Sequence, residues 1–250
     1  YTLSLHDALP IYARPNFSLS GNGAPLSLPV MTDKREVLIV QGGWEGHAPR
    51  ETAELFAGWL RKDGFEVRIE DSLKALENLA ALRKLSLFVP IWTMGTIEKE
   101  QSDNIRTAIA EGVGLAGCHG GMCDAFRMDV DWEFMTGGSW VSHPGNDGVR
   151  YTVNIRSSSN PITEGLADFE VSSEQYYLHV DPVGEVLATA RFPVAEGPHC
   201  SNGIVDMPQV WTKRWGKGRV FYNALGHQPD IWRIPEAAAL MRRGMLWATR

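Results

Sequence analysis

Gly117-Cys118-His119-Gly120-Gly121, entered directly from the apolar run at 113–116, is the stretch on which the fold assignment turns. An apolar strand delivered into a glycine-flanked turn is the pattern of a nucleophile elbow in α/β proteins. Its glycines let the backbone bend sharply and lift one side chain above the sheet. Here the lifted position holds His119. An imidazole does not serve there as an acyl-enzyme nucleophile in the way Ser or Cys does. It binds a metal, moves a proton or hydrogen-bonds a substrate.

Upstream of the elbow, strand-like and helix-like patterns alternate. Residues 36–41 are an apolar run ending in Gly42-Gly43, and 50–62 carry Ala53, Phe56, Ala57 and Leu60 at helical spacing. Segments 65–69 and 85–91 repeat the strand signal, and 98–111 read as an amphipathic helix containing Ile105 and Ile109. Such alternation predicts parallel βαβ units in an α/β layered sheet, with functional loops gathered at the carboxyl ends of the strands. Residues 43–47, 92–95 and 118–121 all fall at such ends. After Gly137 the rhythm shortens to 149–155, 169–171 and 185–189, divided by Pro and Gly, which predicts an antiparallel extension in the second half. Residues 209–215 and 219–224 flank Gly216-Lys217-Gly218 as a hairpin, and 235–248 form a closing amphipathic helix with Pro235 at its start.

Composition narrows the function. The chain has 250 residues, 44% of them hydrophobic and 22% charged, with a formal net charge of −6 and no basic block, so nucleic acid is not an expected partner. No apolar stretch approaches the roughly 18 residues of a membrane span. Cys118, Cys123 and Cys200 have no C-x-x-C spacing, which argues against a disulfide framework or a cysteine-built zinc site and favours a reducing, cytoplasmic location. Residues 1–30 lack an initiator Met and a signal-peptide pattern and are expected to lie outside a single domain at 31–250. Their opening Tyr-Thr-Leu-Ser-Leu-His-Asp-Ala-Leu-Pro-Ile resembles translated sequencing-adapter DNA, and Met31 is a natural start; a leader removed upstream is the alternative.

Four histidines stand in glycine-rich or turn contexts: His47, His119, His143 and His227. His47 follows the first strand, His119 the central one and His227 the last long one, so three imidazoles can meet above one sheet edge. A divalent metal such as zinc would take these three with Glu45 or Asp124 as the carboxylate; a metal-free acid/base site would use the same residues. Cys118 precedes the exposed elbow position and reads as a small buried hydrophobe, and Cys123 as a packing residue. Nine Trp residues, Trp44 and Trp92 among them, accompany the polar motifs and suit flat, hydroxylated ligands such as sugars. Trp211 and Trp215 read as hairpin packing. The string Glu174-Gln175-Tyr176-Tyr177-Leu178-His179, taken as a plain strand, would place Glu174, Tyr176 and Leu178 on one face. Gly42-Gly43 lacks the rest of G-x-G-x-x-G, which excludes a dinucleotide site of that type.

Together, Gly42-Gly43-x-x-x-His47, Gly117-x-His119, Gly137-Gly138-x-x-x-x-His143-Pro144, Glu174-x-Tyr176 and Trp211-Thr212 through Gly216-Lys217-Gly218-Arg219-Val220 to Gly226-His227 resemble the ThuA-like (trehalose utilization) family. The resemblance covers nearly all of 35–250. It implies a flavodoxin-like layered sheet of the class I glutamine amidotransferase-like kind. In amidotransferases the elbow carries a catalytic Cys served by a late His-x-Glu, whereas here it carries His119, and Gln228-Pro229 follow His227, so glutamine hydrolysis is not expected. The resemblance implies a role in using trehalose or related disaccharides through keto-sugars formed with a partner oxidoreductase, and a metal in some relatives. Carried over by position, His47, His119 and His227 form the catalytic or metal-binding core, with His143, Glu174 and Tyr176 nearby; Trp44 and Trp92 join them as substrate-binding candidates on the aromatic reading above. A non-catalytic carbohydrate-binding or interaction module is the alternative.

Overall fold

The structure, a computed structural model, describes residues 35–156 and 159–250; the expectation for 1–30 lies outside them. The parallel half runs β1 (Glu36–Gly43), α1 (Pro49–Lys62), β2 (Glu66–Glu70), a one-turn α2 (Leu79–Leu82), β3 (Leu87–Thr93), α3 (Lys99–Ala110) and β4 (Gly114–Cys118). The elbow then opens the short α4 (Gly120–Cys123), followed by α5 (Val130–Thr136). The second half contains β5 (Gly138–Ser142), β6 (Val149–Ile155), β7 (Phe169–Ser173), β8 (Tyr177–Val180), β9 (Glu185–Phe192), β10 (Val205–Trp215), β11 (Gly218–Asn223) and α6 (Pro235–Ala248).

Among the described residues nine strands form one sheet in the order β2-β1-β3-β4-β11-β10-β9-β6-β7, and β5 pairs with β8 apart from it. The first five are mutually parallel, with the last parallel strand, β11, arriving from far along the sequence; the remaining four pair antiparallel. This is the expected flavodoxin-like order with an antiparallel extension.

The strands that read as continuous apolar runs do so because both faces are covered. In β1, Val37 and Ile39 join the core layer under α1 and α6, while Leu38 and Val40 join the layer under α3 and α5. Phe56 and Leu60 of α1 and Leu240 and Met241 of α6 fill the first layer; Ile105 and Ile109 of α3 and Trp132 of α5 fill the second. Each such side chain removed from water contributes about 1.5–3 kcal/mol. Pro49 and Pro235 begin α1 and α6, where a missing N–H costs nothing, and α3 starts on a Glu98/Gln101 capping box.

Pro90 sits inside a central strand and has a visible consequence. The β3–β4 ladder ends at Phe88 and Leu115, two residues before this proline, which has no N–H with which to extend it. Beyond that point the carboxyl end of β4 pairs only with β11, and α4 packs over β3, Gly121 lying against the Ile91 backbone. The elbow therefore projects into space opened between two strands.

The Glu174–His179 string departs from the expected plain strand. Only Tyr177–Val180 is β-structure, and Glu174, Gln175 and Tyr176 are all buried, so faces do not alternate. Gln175 donates to Arg191 O (2.8 Å) and accepts from Val194 N (3.1 Å), satisfying the end of β9 and the chain just beyond it and leaving Glu174 and Tyr176 turned toward the elbow.

Candidate functional site

His119 is the first residue after β4 and adopts φ 50°, ψ −140°. For a residue with a Cβ this conformation stores about 1–3 kcal/mol of strain. It is held by backbone bonds on both sides: His119 N donates to Asn223 O (2.7 Å) and Tyr222 Oη donates to His119 O (3.1 Å). The ring is 1% exposed and stacks on Tyr176 with centroids 4.0 Å apart. Its Nδ1 lies 2.8 Å from Ala224 O, and because a carbonyl only accepts, Nδ1 carries the proton. The other nitrogen, Nε2, faces Glu174 Oε2 at 3.1 Å.

His47 reaches the same point from β1. The chain leaves β1 through Gly43, whose φ of 78° and closeness to Thr93 O (2.1 Å from a built Cβ) admit no side chain. One 3-10 turn then presents His47, with Nδ1 hydrogen-bonded to Thr93 Oγ1 (2.8 Å) at the end of β3. His227 follows β11; its Nδ1 is 3.4 Å from Glu174 Oε2 and its Nε2 3.9 Å from Asp147 Oδ2. Glu174 comes from the antiparallel half, its backbone oxygen accepting from Tyr151 Oη (2.9 Å). One ligand atom from each of His47, His119, His227 and Glu174 lies within 4.8 Å of all the others. His143 Nε2 stands 3.7 Å from Glu174 Oε1.

Electrostatics match this packing. Burial, helped by His119 and His227, depresses the His47 pKa to about 3, and burial likewise lowers that of His119, so both rings are neutral at neutral pH. Burial opposes ionisation of Glu174, but His119 and His227 outweigh it and hold the carboxyl below the usual carboxylate range. For His227 burial is outweighed by Glu174, Asp147 and Asp230, and its pKa rises. Cys118 is buried, which pushes its thiol up to about 12, and burial raises Cys123 well above the ordinary thiol value. Both behave as packing residues.

Over the cluster opens a cleft of about 320 Å³ whose walls include Trp44, Trp140, His143, Tyr176 and Arg127. Trp44 is 46% exposed and meets His47 edge-on at 4.6 Å. Trp92 does not line the cleft; its ring lies against Gly42 and Gly95 and packs on the core layer. Trp211 is fully buried, its Nε1 donating to Thr136 O (3.1 Å), and Trp215 Nε1 donates to Arg106 O (3.2 Å).

The carboxylate expected from Glu45 or Asp124 is corrected to Glu174. Glu45 is exposed on its turn, and Asp124 is engaged by Arg127 through Nε–Oδ1 (2.5 Å) and Nη2–Oδ2 (3.0 Å). Sequence reasoning also passed over Thr93, Arg127, Asn146 and Asp147. An Asp–x–x–Arg spacing directly after the elbow was the signal available for Arg127; Thr93 and Asp147 are joined to the site by topology alone.

The fold and site define a flavodoxin-like α/β protein whose elbow presents a histidine in place of a nucleophile. The chain belongs to the ThuA family, described as trehalose utilisation, whose family model matches residues 36–248. Among solved structures it is similar to a ThuA-like protein from Bacteroides uniformis (18% identity, TM-score 0.70, 90% of this chain and 95% of that one). It is also similar to a ThuA-like protein from Parabacteroides merdae (16%, 0.64, 86% and 90%) and to a cytoplasmic protein from Salmonella typhimurium LT2 (14%, 0.64, 86% and 100%). No curated protein sequence matches it. Among the described residues no helix is long and apolar enough to cross a membrane.

Proposed function

We propose that this cleft acts on a sugar or its keto derivative, with His47, His119, His227 and Glu174 holding a divalent metal such as zinc. The observation that carries the reading is the convergence of these four buried donors within 4.8 Å. The donor set fits such an ion on the chemistry of its atoms. His119 Nδ1 is committed as a donor to Ala224 O, so Nε2 hydrogen-bonds the Glu174 oxygen 3.1 Å away only when the ring carries a second proton, and the neutral ring turns a lone pair toward it. Two acceptors face each other there unless a proton or cation lies among them. Three imidazoles and one carboxylate are an ordinary zinc set, and the Ala224 carbonyl and Thr93 hydroxyl supply the outer hydrogen bonds that orient metal-bound histidines. When bound, the metal would polarise a carbonyl or hydroxyl oxygen as a Lewis acid.

The chain's own groups provide the rest. Tyr176, stacked on His119, lines the cleft; Trp44, about half exposed, offers indole surface suited to a pyranose; His143 stands beside Glu174 to exchange a proton with a bound hydroxyl. Withdrawal of Cys118 and Cys123 into the core supports a route without a thiol nucleophile. A cytoplasmic location, in a system with a partner oxidoreductase that forms the keto-sugar, belongs to the same reading, supported by the Salmonella relative described as cytoplasmic. The test is turnover of a keto-disaccharide by His119→Ala with unchanged circular dichroism. The reading predicts abolished turnover. Binding of the sugar without turnover by the wild type would favour the non-catalytic module instead.

A further inference from the structure

The elbow that delivers His119 also delivers, within eight residues, a second polar group to the same cleft. Asp124 ends α4; its backbone is fixed by Asp124 N donating to Gly120 O (3.1 Å) and Met94 N donating to Asp124 O (2.8 Å). Its carboxylate is 5% exposed and takes Arg127 in the two-pronged pairing described above. The Arg127 guanidinium lies over the Trp140 ring, 4.7 Å from its centroid, while half of the side chain stays open to the cleft. Arg127 is thus held flat between a buried carboxylate and an indole, with its Nη1 edge making no protein hydrogen bond among the described residues. Trp140 Nε1 is likewise without a partner there.

Arg127 is the one Lys or Arg among the described residues of the cleft wall, and its charge is already compensated by Asp124. An arginine neutralised in this way presents N–H donors without a net positive field. Glu174 and His143 line the same cleft, and Asp147 Oδ2 lies 3.9 Å from His227 Nε2. At the Arg127 edge the donors are backed by the Asp124 carboxylate and carry no net charge, so this edge suits hydroxyl groups and adds no attraction for a phosphate dianion beyond that of an ion held by the histidine cluster.

We propose that Arg127, Asp124 and Trp140 form a hydroxyl-recognition subsite that admits uncharged sugars and discriminates against phosphorylated ones. This rests on the sugar reading of the cleft. It assigns to the chain a choice that the histidine cluster does not make: which sugar, rather than what chemistry. A sugar bound at this subsite places its vicinal hydroxyls on the free guanidinium edge, with the Trp140 ring backing the guanidinium.

The test is calorimetric titration of the full chain, as purified, with trehalose and with trehalose 6-phosphate. The wild type is expected to prefer trehalose. Arg127→Lys keeps a cation against Asp124, so the fold survives, but it loses the planar fork and is expected to bind trehalose about ten-fold more weakly. Asp124→Asn leaves Arg127 uncompensated and is expected to shift preference toward trehalose 6-phosphate by about ten-fold, a reversal that a merely structural pair would not produce. Unchanged trehalose binding in Arg127→Lys, or a wild type that prefers the phosphorylated sugar, overturns the subsite while leaving the sugar reading standing. A wild type that binds neither probe overturns the subsite, and failure to bind the keto-disaccharide as well overturns the sugar reading with it.

Discussion

Gly120→Ala tests the elbow at its tightest point. A Cβ built on Gly120 would lie 2.8 Å from Thr93 Cγ2 and 2.9 Å from His47 Cε1, against the roughly 3.5–4.0 Å at which carbon atoms rest. Neither neighbour yields easily. Thr93 is β-branched and 3% exposed, and His47 is tied to it through Nδ1. Relief therefore requires a movement of about 0.6–1.2 Å that carries Thr93 and His47 together. Overpacking of this kind costs about 1–3 kcal/mol, which for a domain of this size lowers Tm by roughly 2–12 °C. Displacing His47 with its outer hydrogen bond is expected to weaken zinc binding about 10–100-fold. Thermal melting and zinc competition against a chromophoric chelator read the two effects separately. A variant that melts with the wild type and binds zinc as tightly would refute the claim that Gly120 is required by the approach of His47.

The remaining expectations address packing, charge and thiols. Gly58, inside α1 with open space around its Cβ position, is the counterpart control: Gly58→Ala should stabilise by about 0.5–1 kcal/mol and raise Tm, and a lower Tm would mean the helix is packed differently there. Lys213 Nζ, nearly buried, pairs with Asp181 Oδ2 at 2.7 Å and donates to Phe134 O (2.6 Å), and the hydrogen bond from Lys213 holds the Asp181 carboxyl below its ordinary value. A depressed folded pKa gives stability that is present above the unfolded carboxylate value of about 4 and is lost as pH falls through the folded one. Asp181→Asn should cost on the order of 3 kcal/mol at neutral pH and flatten the acid limb of a denaturation profile; an unchanged acid limb would show that the pair does not couple to folding. Thiol titration of the native protein should label exposed Cys200 and spare Cys118 and Cys123 until unfolding. Rapid labelling of Cys118 would contradict its burial behind the elbow.

The residues that were legible in the sequence share a physical reason. β1, β3 and β4 announced themselves because both faces of each strand are covered, so Val37 through Val40 are apolar without interruption. The elbow was legible because its glycines stand together directly after an apolar strand, although only Gly117 answers a contact near the turn, with Met122, while Gly120 and Gly121 answer Thr93, His47 and Ile91. What escaped depends on distant parts of the chain. Glu174 follows the last residue of β7, but it meets His119 only because Gln175 is spent on Arg191 and Val194, turning the segment out of a strand's alternation. Asp124 carries the right chemistry for a metal ligand, and nothing in its spacing shows that Arg127 claims it first. Trp92 stands at a strand end as expected, yet the ring folds back over Gly42 rather than toward the cleft.

The central claim is that four buried donors from both halves of the sheet make one metal site. Elemental analysis of the purified wild type, beside Glu174→Gln and His119→Ala variants that remain folded, tests it most directly. The account predicts about one divalent ion per chain in the wild type and loss of most of it in either variant. A wild type that takes up no divalent ion when zinc is supplied, or variants that retain it fully, would contradict the account.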